Sequence, residues 1–398
     1  MDKNETPGLS DALLQACEAL GGWLPFDVFM REVLTHPAEG YYSRASAESS
    51  PMGIRGDFVT APSMGPWLAI ALAREFESLA RRVTPGTRLS IREFGAGTGQ
   101  LAADILLELH GSNCLPLAYE IVETSPALVS LQKAHTYQCL ALRGLAGLSD
   151  RLIWSSDEGA QTDRPLRGLV LANEVADALP VKVFEWRGAQ AQPLEWGLRH
   201  QSERWVWSSR EAGPELADRV KARQDEVSAL LWPWRQGHRG EWSPMLSPWA
   251  RGLAHGLAWG EVVVLDYGYE RAELDHPDRS HGTLAAHRAH RRIDDPDALL
   301  EGPGEQDLTA HVDFSELVSA FEGAGCALQS LKTQAAWLLD HHILDEAQSR
   351  LFPDPESRGR APSDPAKVAA LSGLQTLLSD AAMGQQFLVL TVSRFDSE

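Results

Sequence analysis

Cysteine is scarce in this chain of 398 residues: Cys17, Cys114, Cys139 and Cys326 are the only four, and no two form a CxxC pair. That excludes a disulfide framework or a cysteine-based zinc site and suits a reducing compartment. Positive charge is also short, with 36 Lys and Arg against 55 Asp and Glu, for a formal net charge of -19. Nonspecific nucleic-acid binding needs a basic footprint, so DNA and RNA are not expected partners. A basic protein remains open, because an acidic surface attracts an arginine-rich target. No apolar run reaches transmembrane length, so no membrane partner is expected. Met1-Asp2-Lys3-Asn4-Glu5 lacks a basic-plus-apolar signal. The expected location is the cytoplasm.

What the chain does have is glycine at close spacing. Leu89-Ser90-Ile91 leads into Glu93-Phe94-Gly95-Ala96-Gly97-Thr98-Gly99-Gln100, and a helix is expected over Leu101 to Leu109. A strand entering a glycine turn that opens a helix lets the main chain approach a nucleotide closely. Dinucleotide sites read G-x-G-x-x-G/A, with pyrophosphate on the helix N-terminus. Gly95, Gly97 and Gly99 read G-x-G-x-G instead, two residues after the acid Glu93. That spacing is similar to motif I of class I S-adenosylmethionine methyltransferases, in which the turn packs on methionine and ribose. The expected contacts are Glu93, Gly95, Ala96, Gly97, Thr98 and Gly99. Glu123, at the end of the strand Leu117 to Val122, can accept both ribose hydroxyls of either cofactor. The glycine spacing therefore favours S-adenosylmethionine over a nicotinamide cofactor, and the strand, turn and helix context weighs against a turn with no ligand.

The expected fold is α/β, a doubly wound Rossmann-like sheet. Further strands are expected at Leu152 to Trp154, Gly168 to Ala172 and Gly260 to Leu265, with a terminal antiparallel pair at Cys326 to Leu331 and Phe387 to Val392. The apolar run at Gly168 suits a parallel strand covered on both faces. Three parts are expected: residues 1–85, an N-terminal helical region covering the site; 86–186 with 260–398, the core; and 187–259, an inserted subdomain. The interval before the fifth strand is too long for an ordinary crossover. It carries Trp196, Trp205, Trp207, Trp232, Trp234, Trp242, Trp249 and Trp259. Core packing is the leading expectation for most of these rings, ahead of a binding face.

Several motifs, in order, resemble the MidA-like proteins. They begin with Phe29-Met30, His36-Pro37, Gly40-Tyr41-Tyr42 and Gly56-Asp57-Phe58-Val59-Thr60-Ala61-Pro62. Motif I follows, then Val122-Glu123-Thr124-Ser125-Pro126 with Leu128 and Gln132, and Ala172-Asn173-Glu174-Val175-Ala176-Asp177. Asp266-Tyr267-Gly268, Gly282-Thr283-Leu284 and the stretch Asp307 to Phe314 complete the set. The resemblance spans nearly the whole chain. It implies a class I methyltransferase fold with an inserted lobe and, from the family's mitochondrial member, methylation of a protein arginine. Two departures stand out: Ala96 follows the first glycine where proline is expected, and Val175-Ala176 replace bulky aromatics. The second reshapes the expected acceptor side.

A protonated guanidinium is a poor nucleophile, so arginine methylation needs carboxylates that orient it and localise its charge. Glu174 is the first candidate, followed by Asp177, with Asn173 beside them at the carboxyl edge of the sheet. The competing reading for Asn173 or Asp177 is helix capping. Gly56, Asp57, Phe58 and Thr60 are expected to fold over the cofactor, with Asp57 near its ammonium group, or else to form a packed turn. Asp266-Tyr267-Gly268 lines the same cleft or simply ends a strand. His281, His287, His290 and His311 lack compact ligand spacing, so no metal is expected. The expected function is a protein arginine methyltransferase acting on an accessible arginine, with a homodimer as one assembly. The alternative is a SAM-binding assembly factor with little or no turnover.

Overall fold

The apolar run at Gly168 is a strand over Leu166–Asn173, buried along most of its length. The computed structural model that shows this describes residues 7–44, 60–156, 165–230, 232–353, 362 and 364–395. In it the chain forms two compact units. One is Met1–Ala45 with Ala176–Trp249 and Gly268–Leu317; the other is Ser46–Val175 with Ala250–Tyr267 and Val318–Glu398. The division therefore cuts the chain elsewhere than at residues 85, 186 and 260.

The second unit is built on a large sheet. Its strands are β1 (Ser90–Phe94), β2 (Tyr119–Val122), β3 (Leu152–Ser155), β4 (Leu166–Asn173), β5 (Leu257–Tyr269), β6 (Ala327–Thr333) and β7 (Phe387–Arg394). They lie in the order β6-β7-β5-β4-β1-β2-β3. Pairing is parallel from β5 through β4, β1 and β2 to β3. β7 runs antiparallel to both β5 and β6, forming the expected terminal pair. This is a class I methyltransferase sheet, doubly wound, with β4 and β1 adjacent where the strand order reverses. Ligands bind outside the carboxyl ends of the strands at such a reversal.

Two glycines let the central strands close up. Gly168 pairs with Ser90 and with Gly260, and their φ values are +140° and +128°. A Cβ on Gly168 would lie 2.0 Å from the Ser90 carbonyl oxygen, and one on Gly260 would lie 1.9 Å from that of Gly168. Any side chain would wedge β1, β4 and β5 apart.

Helices pack on this sheet through apolar stripes. In Trp67–Arg82, Leu68, Ala71, Leu72, Phe76 and Leu79 are buried at helical spacing, each large side chain contributing about 1.5–3 kcal/mol. The helix after the glycine turn is Gln100–Gly111, with Leu101, Ala102, Ile105, Leu106 and Leu109 buried. The helix after β2 is Pro126–Leu142, and its N-cap Ser125 accepts the Leu128 N–H.

The first unit holds a sheet that the sequence reading does not contain. Among the described residues it has five strands, with Leu24–Pro25, Leu194–Gln201, Lys182–Glu185 and Arg239–Trp242 in that order and Arg204–Glu211 paired to Leu194–Gln201. The N-terminal segment thus supplies a strand as well as helices. Gly197 leaves room for Trp23: a Cβ there would lie 2.4 Å from the ring. The Trp23 indole donates to the Ser208 carbonyl at 3.0 Å, and Phe26 stacks on Trp207 at 5.0 Å. Trp186, Trp234 and Trp242 join Phe184, Leu216 and Val220 in a separate core. For these three rings core packing is what the fold shows.

Candidate functional site

The glycine turn follows β1 directly. Gly95, Gly97 and Gly99 adopt φ of +60°, +55° and +83°, the left-handed region that favours glycine. The Gly95 N–H bonds the Val122 carbonyl at 3.3 Å, and the Gly99 N–H bonds Ala96 at 2.7 Å. Gly99 is the N-cap of Gln100–Gly111 and supplies no side-chain cap. Helix N-terminal N–H groups of this kind suit an electron-rich ligand. A Cβ on Gly95 would lie 2.9 Å from Val175 Cγ2, and one on Gly99 would lie 2.6 Å from Thr136 Cγ2. The turn is a cradle that only glycine can form. Ala96 is buried and Thr98 half-buried within it.

Glu123 follows β2 and is buried. Its main-chain N–H continues the sheet by bonding Ser155 at 2.9 Å. Its Oε1 accepts the Ser125 N–H at 2.9 Å, and its Oε2 accepts Gln132 Nε2 at 3.0 Å. The carboxylate is thus held rigidly at the strand end. Glu93, inside β1, is 2 % exposed and accepts the Tyr119 hydroxyl at 2.8 Å. Burial pushes its carboxyl up to about 7, although the tyrosine bond favours the charged form.

Beyond β4 stands Glu174, a non-glycine residue at φ +54°. Its N–H bonds the Leu265 carbonyl at 2.9 Å. Its Oε1 receives the Ala61 N–H at 3.3 Å and Asn173 Nδ2 at 3.2 Å. The next N–H, of Val175, bonds Asp266 Oδ2 at 3.2 Å. Asp266 is fully buried and also takes the Tyr267 N–H at 2.9 Å. Left-handed backbone in a residue with a side chain costs on the order of 1–3 kcal/mol and persists only where neighbours enforce it. Here β5 and the segment after Thr60 do so. Thr60 precedes the short helix Ala61–Met64 and its carbonyl accepts Ser63 Oγ at 2.6 Å. The fold therefore joins Thr60-Ala61 to Asn173-Glu174. Gly56, Asp57 and Phe58 lie outside the described residues.

Asp177 belongs to the first unit, in the turn Ala176–Ala178. Its carbonyl accepts the Ala310 N–H at 3.0 Å, and its carboxylate faces Tyr42, whose hydroxyl bonds Asp307 Oδ1 at 2.9 Å. Burial first, then Asp307 and Asp177, raise the Tyr42 hydroxyl well above its ordinary value. Asn173 ends β4 and donates its amide N–H to Glu174 Oε1. His311, in the same unit, is pushed down to about 4 by burial and by Arg292 and is neutral at pH 7. It lines a small cavity of about 20 Å³ with Arg223, Glu241, Trp242 and Asp313. Among the described residues no group of three or more His, Cys, Asp or Glu can hold a metal ion.

Sequence reasoning gave no site role to Tyr119 or Trp154, and quoted Gln132 without one. Their partners lie on other strands or helices, and no local pattern announces them. One signal was readable: a polar Gln132 and Thr136, four apart on a helix that follows a ligand-bearing strand.

The arrangement suits S-adenosylmethionine. It offers a tightly packed turn of left-handed glycines, a fixed carboxylate at the end of β2, and polar groups at the end of β4. The known proteins to which the chain is similar agree. Residues 67–332 match a family described as "Putative S-adenosyl-L-methionine-dependent methyltransferase". A Burkholderia thailandensis protein solved with bound S-adenosyl-homocysteine superposes with a TM-score of 0.82 at 31% identity, covering 98% of this chain and 95% of that one. The mitochondrial protein arginine methyltransferase NDUFAF7 of Mus musculus is 26% identical over 90% of this chain and 78% of its own length. Its Caenorhabditis elegans homologue is 24% identical over 73% of this chain and 66% of its own.

Fold and site together define a class I S-adenosylmethionine-dependent methyltransferase. The chain belongs to the MidA-like family of these enzymes. One expectation is corrected. A cytoplasmic location was inferred from the absence of a leader-like N-terminus, yet the curated relatives from mouse and nematode are mitochondrial proteins. Lack of a local signal was too weak a basis for that inference. No helix among the described residues is long and apolar enough to cross a membrane.

Proposed function

We propose that the chain methylates a guanidinium nitrogen of an arginine in a partner protein. The observation that carries this reading is Glu174, held at φ +54° at the carboxyl end of β4 by Ala61, Asn173 and Leu265. Strain of this kind is kept where a side chain must be aimed. The named activity of the mouse and nematode relatives supports arginine as the acceptor.

When bound, S-adenosylmethionine supplies an activated methyl group on its sulfonium. The Gly95–Gly99 turn and Glu93 would hold its methionine part, and Glu123 would hold the ribose. Glu174 would hold the acceptor guanidinium in line and localise its charge, so that one nitrogen becomes the better nucleophile. Asn173 fixes the Glu174 carboxylate from the side. Asp177 is the second carboxylate proposed for the acceptor. Positioning of this type can supply much of the rate. The net charge of -19 favours approach of a basic target.

The test is methyl transfer from labelled cofactor into arginine-containing peptides and mitochondrial extract, followed by acid hydrolysis. Label in methylarginine is expected. Glu174→Gln should reduce it roughly 100-fold, the order seen when one preorganised electrostatic group is lost, with S-adenosylhomocysteine affinity unchanged. Label confined to another residue type would overturn the arginine reading. An undiminished Glu174→Gln rate would remove Glu174 from the site.

A further inference from the structure

We infer that Gln132 is a positioning residue that locks the ribose carboxylate Glu123 to the motif I turn. The inference rests on the reading of Glu123 as the ribose-binding group.

Gln132 is fully buried on the helix Pro126–Leu142. Its amide nitrogen donates twice, to the Gly97 carbonyl at 3.2 Å and to Glu123 Oε2 at 3.0 Å. Its amide oxygen accepts the Trp154 indole N–H at 3.1 Å. An indole can only donate, so Trp154 determines which end of the amide faces the turn. Trp154 is itself braced: Tyr137 meets it edge-on at 5.9 Å and Lys133 lies 5.2 Å from its ring. One side chain therefore spans two loops separated in sequence, and β3 sets its orientation.

Each bond has a consequence at the cofactor site. In a planar trans peptide the carbonyl and the following N–H point in opposite directions. Drawing the Gly97 carbonyl toward the helix therefore turns the Thr98 N–H away from it. On the other side, Glu123 has one oxygen held by Ser125 and the other by Gln132, which fixes the plane of the carboxylate before a diol arrives. The same helix face makes room for the turn, since Gly99 packs against Gln132 and Thr136. Thr136 folds its own hydroxyl back to the Gln132 carbonyl at 2.7 Å. A buried polar side chain in a packed layer is costly unless satisfied. Here every hydrogen-bonding group of the amide is used, and two of its three partners belong to the proposed cofactor site.

The experiment compares affinity for S-adenosylhomocysteine with affinity for its 2′,3′-dideoxyribose analogue by calorimetry of the full chain. Wild type should prefer the natural ligand. Gln132→Leu should weaken S-adenosylhomocysteine roughly tenfold or more, as expected for loss of a bond to a charged group. It should weaken the dideoxy analogue less, so that discrimination shrinks. Trp154→Phe keeps a ring but frees the amide to flip, and should shrink discrimination by a smaller factor. It also serves if Gln132→Leu does not fold. Equal losses for both ligands would mean that Gln132 only supports packing and would overturn the inference, as would unchanged affinities. A wild type that binds the two ligands equally would fail at an earlier point, overturning the ribose role of Glu123 and with it the inference.

Discussion

The two compact units bury carboxylates by contrasting means. In the unit that carries the glycine turn, Glu123, Glu174 and Asp266 are held by main-chain N–H groups at strand ends: Ser125, Ala61, Val175 and Tyr267. In the Trp-rich unit, two buried carboxylates are paired with arginines, while Glu241 is held by the Thr283 and Leu284 N–H groups. Asp275 takes Arg223 through both oxygens, and Asp313 takes Arg271 at 2.9 Å. Main-chain N–H groups orient a carboxylate without cancelling its formal charge. Pairing it with a guanidinium spends that charge inside the fold. The Asp275 and Asp313 pairs are therefore architecture.

The comparison breaks most visibly at Arg223, which is 3 % exposed and also donates to the Glu241 carbonyl at 2.6 Å. Arg223→Met strands Asp275 in the interior and should cost about 3–5 kcal/mol in urea denaturation. The double variant Arg223→Met, Asp275→Leu should recover most of it. A single-variant loss below about 1 kcal/mol would contradict the architectural role.

Next in size is Gly99→Ala. The φ of +83° and the 2.6 Å approach to Thr136 Cγ2 should cost roughly 2 kcal/mol and weaken S-adenosylhomocysteine binding. Adding Thr136→Ser removes the offending methyl and should restore part of the binding in titration. Full binding by Gly99→Ala alone would show that the turn is not closely packed.

Glu93 gives a smaller, pH-dependent effect. Its carboxyl is raised from 4.5 to about 7 by burial, so the folded chain keeps a proton that the unfolded chain has released. The stability from this group is complete below about pH 4.5 and is lost as pH rises through 7. Glu93→Gln is neutral throughout and should flatten that decline, gaining on the order of 1–2 kcal/mol at pH 8. A thermal-melt series against pH reads it, and parallel slopes for variant and wild type would refute the shift. Smallest of all is Glu305→Ala in the Trp-rich unit. Its pair with Arg288 is nearly half exposed at both ends, and its loss should stay within about 0.5 kcal/mol.

The same contrast explains what could be read in advance. The glycine spacing, Glu123 at a strand end, the β4 run and the terminal antiparallel pair were all legible, because period, apolar continuity and turn chemistry are local. The five-stranded sheet was not. Its strands Leu194–Gln201 and Arg204–Glu211 mix tryptophan with charge, and their inner face exists only once Trp23 and Phe26 arrive from the N-terminus. Tyr42 and Asp307 stand 265 residues apart, beyond the reach of any pattern argument. Glu174 was legible as a carboxylate after β4, but its left-handed backbone was not, since no propensity predicts strain.

The sequence by itself determined the sheet-forming segments, the cofactor class and the acidic group at the end of β2, because each depends on residues adjacent along the chain. Tertiary structure decided which partners each buried carboxylate meets. It also brought Ala61 to Glu174 and set Gln132 between Gly97 and Glu123. Those outcomes depend on which groups are desolvated together, and burial brings together residues that the chain keeps far apart.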